Sequence, residues 1–336
     1  MKNIKKYIIR AILVFSPLIL FFSAELILEV SDLYFTKPIR IASFWDDDLR
    51  EHHMFTDRDF IPDPWFFWKI DPANKLTNSK GFLGPEFSEN KPENTFRIFC
   101  LGDSNTMGSR DSSYPRELYR SFQTSPLYNA QFEVINAGVS GYTSLQGLRM
   151  CSEVMKYNPD LITICFGWND SCLTDRRPDK YFQPVNRYLL NLERFLYRFR
   201  IYEFLKYGYY HLKYNHFNAQ QSPPLQCRVN LSDYEANLLA MATLAKKNGS
   251  RVLFITRPFM LRLEPWMANF TEDAKIYNSA MRKAAAKIKV DLLDAEKIFS
   301  EHPEQFIDSC HFSEDGKELL AKEIYNYLKT NFVLDN

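Results

Sequence analysis

Residues 96–105 read FRIFCLGDSN, a short apolar run that ends in a turn of small and polar residues. A run of this length is typical of a buried strand. The serine after it, Ser104, would then lie where a strand passes into a helix, with its hydroxyl projecting from the edge of the sheet. The segment indicates a candidate nucleophile, although Gly-Asp-Ser is a common sequence and a simple helix cap is the alternative.

Downstream of this strand, apolar runs alternate with helical patterns. Strands are predicted at 96–101, 132–137, 161–166, 251–256 and 290–293. Helices are predicted at 115–122, 144–157, 234–247, 274–287 and 314–330, the last of them capped by Ser313. Such alternation favours an α/β fold with a mainly parallel five-stranded sheet covered on both faces. Functional groups of such folds lie at the carboxyl ends of the strands.

The first 30 residues predict a transmembrane anchor. An uncharged run, 11–24, continues as an apolar segment past Glu25. It follows four basic residues, Lys2, Lys5, Lys6 and Arg10. A span of roughly 20 apolar residues crosses a bilayer, and basic residues before it keep the N-terminus in the cytoplasm. The alternatives are a cleaved signal peptide, for which Phe22 is poorly suited, and a buried helix. The anchor and the signal peptide both place the rest of the chain outside the cytoplasm, either in the periplasm or beyond it.

The remaining chain divides into a lead-in segment and one domain. Residues 31–94 are irregular and are predicted to form a stalk, whose aromatic cluster at 65–68 favours packing on the domain over a ligand platform. The domain is predicted at 95–334. A segment at 171–230 interrupts it and is too long for a simple loop. A cap helix packed on the domain is favoured there, and a lid or a membrane-surface helix is the alternative.

Charge and cysteine content exclude some partners. A formal net charge of +1 offers no general attraction for nucleic acid. The six cysteines include no CxxC pair and no Cys/His cluster at metal spacing, so a zinc site is not expected. Cys100 and Cys165 lie in apolar runs and are expected to be buried. The pairing of the other four stays open, namely Cys151, Cys172, Cys227 and Cys310.

Three further segments carry groups suited to catalysis. They read NAGVSGYT at 136–143, GWND at 167–170 and DSCH at 308–311. Glycine lets a backbone N–H approach a substrate, and the Asn169 amide is a neutral hydrogen-bond donor. Asp308 can accept from one nitrogen of His311 while the other nitrogen faces a serine. Each segment taken alone is also compatible with an ordinary turn.

In this order, the four segments resemble the conserved blocks of the SGNH (GDSL-like) hydrolase superfamily, over roughly residues 96–332. The resemblance implies a flavodoxin-like three-layer α/β/α sandwich. It implies Ser104 as nucleophile, with Asp308 and His311 completing a catalytic triad. It also implies an oxyanion hole made by the backbone N–H groups of Ser104 and Gly141 and the side chain of Asn169.

The chain does not follow the family pattern at every position. Asn105 stands where the family name expects Leu, and this is expected to matter little because that side chain does not react. Gly138 is an alternative to Gly141 as the second oxyanion donor, and the Ser-Gly-x-Thr context favours Gly141. The insertion after Asp170 is not part of the family pattern.

The predicted function is therefore ester hydrolysis through an acyl-serine, without a metal or an organic cofactor. The ester could belong to a small molecule, to a glycan as an O-acetyl group, or to a lipid. One alternative is an O-acyltransferase that modifies an envelope polysaccharide. Another is a non-catalytic glycan-binding protein on the same fold, against which the complete triad argues. The sequence points to no protein partner.

Overall fold

The structure is a computed structural model that describes residues 2–31, 60–63, 65–109, 112–127, 130–174, 178–181, 226–260 and 268–331, with scattered positions between 188 and 208. Most of the predicted insertion and residues 32–59 of the predicted stalk lie outside this set.

Nine strands are described within these residues. They are β1 (Phe60–Asp63), β2 (Phe67–Ile70), β3 (Thr95–Gly102), β4 (Gln131–Gly138), β5 (Leu161–Cys165), β6 (Leu173–Thr174), β7 (Gln226–Cys227), β8 (Arg251–Ile255) and β9 (Asp291–Leu293). Five of them form one sheet in the order β4-β3-β5-β8-β9, and every neighbouring pair is parallel. Gly102 pairs with Gly138 of β4 and Cys165 of β5, so three strands end at one level.

The α-helices described are α1 (Lys2–Val30), α2 (Ser104–Met107), α3 (Tyr114–Thr124), α4 (Ser144–Val154), α5 (Trp168–Ser171), α6 (Leu231–Lys247), α7 (Ala268–Ile288), α8 (Ala295–Ser300) and α9 (Glu314–Asn331). Helices α3 and α9 pack together, and α6 packs against α4 and α7. Helix α9 begins after Ser313, whose hydroxyl accepts from the N–H of Gly316 at 3.1 Å, as the sequence predicted.

The central strand β3 shows why the sheet is covered on both faces. Its residues are all buried. Ile98 and Cys100 belong to the core that includes Leu118 of α3 and Leu320 of α9. Phe99, which points to the opposite face, stacks on Tyr157 with ring centroids 5.8 Å apart. The predicted α/β fold with a parallel five-stranded sheet is thus confirmed.

The predicted elements differ from the observed ones mainly at their ends. The helix predicted to reach residue 157 ends as an α-helix at Val154 and finishes in a 3₁₀ turn, Met155–Tyr157. Asn158 then adopts φ 51° and Pro159 follows, which together stop the helix. Helix α7 begins at Ala268 rather than at 274, and α8 was not predicted.

The chain forms two compact units. One comprises residues 1–52, 62–64 and 185–222, and the other comprises 53–61, 65–184 and 223–336 and contains the sheet. Within the first unit, the Glu25 carboxylate accepts from the backbone N–H groups of Arg200 at 2.6 Å and Ile201 at 3.0 Å. Among the described residues, no helix combines the length and the apolar character that a membrane crossing requires.

Candidate active site

The turn after β3 presents Ser104 at the first position of α2. The Asp103 carboxylate caps this helix by accepting from the N–H of Asn105 at 3.0 Å. A Cβ atom at Gly102 would collide with the Thr106 side chain and would lie 2.9 Å from the carbonyl oxygen of Cys165. Glycine is therefore required before the turn, because strand β5 and helix α2 crowd the backbone there.

The structure brings the three predicted triad residues into one hydrogen-bonded row. Ser104 Oγ lies 2.9 Å from Nε2 of His311, although the two residues are 207 positions apart in the sequence. The other ring nitrogen, Nδ1, lies 2.6 Å from Oδ2 of Asp308. With Nδ1 donating to the carboxylate, Nε2 is left as an acceptor for the serine proton.

Asp308 holds the imidazole from two directions. Its Oδ1 accepts from the backbone N–H groups of Cys310 at 2.8 Å and His311 at 2.7 Å, while Oδ2 meets the ring. Burial acts to raise the pKa of the Asp308 carboxyl, but the bond to His311 and the two backbone donors outweigh it and hold that pKa below its usual range. The carboxylate is therefore ionised at neutral pH and fixes the orientation of the ring.

The loop after β4 carries Gly141 in a left-handed conformation, φ 75°. A Cβ atom there would lie 3.1 Å from the Trp68 ring. The Trp68 indole donates to the carbonyl of Ser140 at 3.0 Å, and the Tyr142 hydroxyl donates to the carbonyl of Trp68 at 2.7 Å. Arg228 Nη1 donates to the Gly141 carbonyl at 2.7 Å. The aromatic cluster of the lead-in segment thus packs against this loop, which was the favoured prediction for it.

Gly138, the last residue of β4, and Gly141 differ in the hydrogen bonding of their N–H groups. The N–H of Gly138 donates to Oδ1 of Asn136 at 2.9 Å and is therefore already used. Within the described part of the chain, neither the N–H of Gly141 nor that of Ser104 donates to a protein group. This difference favours Gly141 as the second oxyanion donor.

Asn169, the predicted third donor, is the second residue of α5. Its Nδ2 donates to the Tyr142 carbonyl at 3.1 Å and to Oδ2 of Asp103 at 3.5 Å. The second contact is long, and that carboxylate oxygen already accepts from Arg257 at 2.8 Å. The amide proton directed at Asp103 is therefore held more weakly than the one directed at Tyr142.

We expect Asn169→Ala to lower kcat by about 10²-fold or more while KM changes little, because an oxyanion donor acts mainly on the transition state. Steady-state kinetics on a chromogenic ester measure both constants. A change confined to KM would contradict this role and would make Asn169 a substrate-binding residue.

A buried ion pair next to the nucleophile turn was not predicted from the sequence. Arg257 Nε donates to Asp103 at 2.8 Å, and both side chains are almost fully buried, at 2% and 1% exposure. Burial acts to lower the pKa of Arg257, but the Asp103 charge outweighs it and the pKa is raised. Arg257 stands two residues after β8, at the carboxyl edge where the site lies, which is the signal that could have identified it.

A second buried polar group is Asp170, which follows Asn169 in helix α5. The Asp170 carboxylate accepts from the N–H of Ser144, the first residue of α4, at 2.9 Å. Burial raises the pKa of Asp170 to about 7. Arg228 pairs with Asp179 at 3.0 Å nearby, on the edge of the predicted insertion. No sequence pattern marked these pairings.

Among the cysteines, Cys310 contacts the triad residues, since its Sγ lies 3.5 Å from Nδ1 of His311. All six cysteines are free thiols, and Cys100 and Cys165 are buried as predicted. The donor atoms of Asp308, Cys310 and His311 lie within 4.8 Å of one another, but a metal bound there would have to displace the bond between Asp308 and His311. The side chain of His302 is 44% exposed and lies 3.2 Å from Glu304. The remaining histidines lie outside the described residues, namely His52, His53, His211 and His216.

Comparison with solved structures finds several esterases and lipases of low sequence identity. A lipase/acylhydrolase from Enterococcus faecalis is 21% identical, covers 72% of this chain and 99% of its own, and has a TM-score of 0.49. The acetyl xylan esterase AlAXEase is 19% identical, with 69% of this chain and 100% of its own chain covered, and its TM-score is 0.47. An acetylxylan esterase from Geobacillus stearothermophilus is 18% identical, with 71% of this chain and 95% of its own chain covered, and its TM-score is 0.45. No curated protein matches the chain.

The sequence model of the GDSL-like Lipase/Acylhydrolase family matches residues 100–319. This range runs from β3 into α9 and includes every residue of the row built around Ser104, together with Gly141 and Asn169. The match covers more than half of the 336 residues. The chain belongs to the GDSL-like lipase/acylhydrolase family of ester-cleaving hydrolases.

Proposed function

We propose that the protein is a serine esterase that cleaves an acyl ester through an acyl-serine intermediate on Ser104. The observation that carries this proposal is the row from Ser104 Oγ through His311 to Asp308, with steps of 2.9 Å and 2.6 Å. A serine hydroxyl is a weak nucleophile unless a base removes its proton, and this row supplies the base and a group that orients it.

In the first half of the reaction, Ser104 Oγ attacks the carbonyl carbon while Nε2 of His311 takes its proton. The ionised Asp308 stabilises the imidazolium that forms. Collapse of the tetrahedral intermediate breaks the bond to the alcohol oxygen, which receives the proton from His311. In the second half, His311 removes a proton from water, which attacks the acyl-serine. The acid leaves, and Ser104 regains its proton.

The negative charge that develops on the carbonyl oxygen requires donors at the same edge of the sheet. The N–H groups of Ser104 and Gly141 and the amide of Asn169 fill this role in the proposal. Their positions follow from β3, β4 and β5, which end side by side. Donors fixed by strand ends need no rearrangement when the charge develops, and this lowers the barrier.

For the substrate, we propose an acyl ester on a glycan or a lipid. The family groups lipases with acylhydrolases, which agrees with either class. Hydrolysis of p-nitrophenyl esters from acetyl to long-chain acyl by the purified protein tests the proposal and separates short acyl groups from lipid chains. Failure to hydrolyse any ester, with no labelling by a fluorophosphonate, would contradict it. Acyl transfer to an added glycan in preference to water would replace the hydrolase with an acyltransferase.

We also propose, from the sequence of residues 1–30 alone, that the catalytic domain lies outside the cytoplasm. Moving the basic residues of this segment across a bilayer costs more than leaving them behind. Alkaline phosphatase fused after Asn336 should then be active, and the protein should stay with membranes after a carbonate wash. An inactive fusion would overturn export, and a carbonate-soluble protein beginning near Glu25 would show a cleaved signal peptide.

A further inference from the structure

The side chain of Asn105 forms hydrogen bonds with the backbone on both sides of His311. Its Nδ2 donates to the carbonyl of Cys310 at 2.8 Å, and its Oδ1 accepts from the N–H of Phe312 at 3.2 Å. Asn105 is 3% exposed, so water does not compete for these bonds. One amide thus fixes the residue before the candidate base and the residue after it.

Asp103, on the other side of Ser104, is linked to the Cys310 carbonyl through Arg257. Asp103 binds Arg257, and Nη1 of Arg257 donates to the carbonyl of Cys310 at 2.9 Å. This carbonyl therefore accepts from Asn105 and from Arg257. Asn105 is bonded directly to the Cys310 carbonyl, and Asp103 is linked to it through the buried Arg257 guanidinium. Both residues next to Ser104 are therefore connected to the peptide that precedes His311.

Ser104 and His311 are 207 positions apart in the sequence, so the chain between them does not by itself fix the distance between their side chains. Asp308 orients the imidazole from within its own loop, but it does not set the distance of that loop from helix α2. Asn105 and Arg257 both join this loop to the nucleophile turn, in addition to the bond between Ser104 and His311 itself.

We propose that Asn105 is a positioning residue that holds Nε2 of His311 within hydrogen-bond distance of Ser104 Oγ. This inference rests on the proposed role of the two residues as base and nucleophile. Leucine, the residue in the family name, has a similar size but can neither donate to Cys310 nor accept from Phe312. In this chain its introduction would leave the buried N–H of Phe312 without its acceptor, and the loop would hold His311 less precisely.

The test compares Asn105→Leu with wild type, using a fluorophosphonate to count the competent sites. We expect kcat per labelled site to fall by about 10- to 100-fold, because a displacement of about 1 Å in a catalytic group can cost 10²-fold. KM should change by less than about 2-fold, since Asn105 is buried and the variant alters positioning rather than uniform binding. The rate constant of fluorophosphonate labelling should fall in parallel with kcat.

Asn78→Leu is the matched control. The Asn78 amide is also buried and binds loop backbone, accepting from Phe82 at 3.1 Å and donating to Pro85 at 3.1 Å. None of its partners belongs to the row around Ser104. This variant should lose thermal stability yet keep the wild-type kcat per labelled site, which is what a purely structural amide would do at either position.

A second variant, Asn105→Ala, covers the case in which the leucine variant does not fold. It introduces no charge and no added bulk, and it removes both the donor to Cys310 and the acceptor for Phe312. We expect a loss of kcat of the same order, with KM unchanged. Wild-type kcat per labelled site in the folded variants, or a change in KM alone, would overturn the inference.

Ser104→Ala, assayed in parallel, separates this inference from the proposed function. If Ser104→Ala remains active, the proposed function fails, and the role of Asn105 fails with it. If Ser104→Ala is inactive while Asn105→Leu keeps the wild-type kcat, only the positioning role is lost.

Discussion

Replacement of Ser104 by alanine is expected to lower kcat on a p-nitrophenyl ester by at least about 10⁴-fold, as removal of the nucleophile does in other serine hydrolases. The hydroxyl that it removes is bonded to Nε2 of His311 and lies at the edge of the sheet. The melting temperature should therefore change by only a few degrees. Kinetics and thermal unfolding of the same preparation measure both effects.

Ser121→Ala provides the control for this variant. Ser121 lies on helix α3, and its hydroxyl donates to the carbonyl of Glu117 at 3.0 Å. Its loss should leave kcat at the wild-type value. Near wild-type turnover by Ser104→Ala would show that the proposed mechanism is wrong.

Asp308→Asn is expected to lower kcat on the order of 10⁴-fold, the loss found when the corresponding carboxylate of a trypsin-type triad becomes an amide. An amide nitrogen facing Nδ1 of His311 would favour the tautomer that carries its proton on Nε2. Nε2 of His311 would then donate to Ser104 instead of accepting from it. The variant would also lose the negative charge that stabilises the imidazolium.

Asp291→Asn is the matched change outside the site. Asp291 lies at the start of β9, and its carboxylate is 3.5 Å from Arg251, with both side chains substantially exposed. It should have the wild-type kcat. A loss of less than about 10-fold for Asp308→Asn would contradict the role assigned to the carboxylate.

The sheet could be predicted from sequence because its strands are apolar throughout. In β3 and β5 every residue is buried, so runs such as 96–101 and 161–166 are distinguishable from the surrounding helices. Parallel strands end at one edge, and this predicts that groups following different strands meet. Ser104 and His311 do meet, at 2.9 Å. Their catalytic roles stay predictions until the variants are assayed.

The supporting contacts could not be predicted, because each joins residues far apart in the chain through a specific geometry. Arg257 and Asp103 are 154 positions apart, and Trp68 is 72 positions from Ser140. Neither pair has a spacing rule that a single sequence could reveal. The expectation that Asn105 matters little considered only whether its side chain reacts, whereas the structure shows two bonds to the backbone around His311.

Peptide mapping after covalent labelling identifies the nucleophile without relying on a rate measurement. The full-length protein would be incubated with a fluorophosphonate, digested, and analysed by mass spectrometry. One adduct per chain is expected, located on Ser104 and absent from Ser104→Ala. An adduct on another residue, or an active enzyme that is not labelled at all, would contradict it.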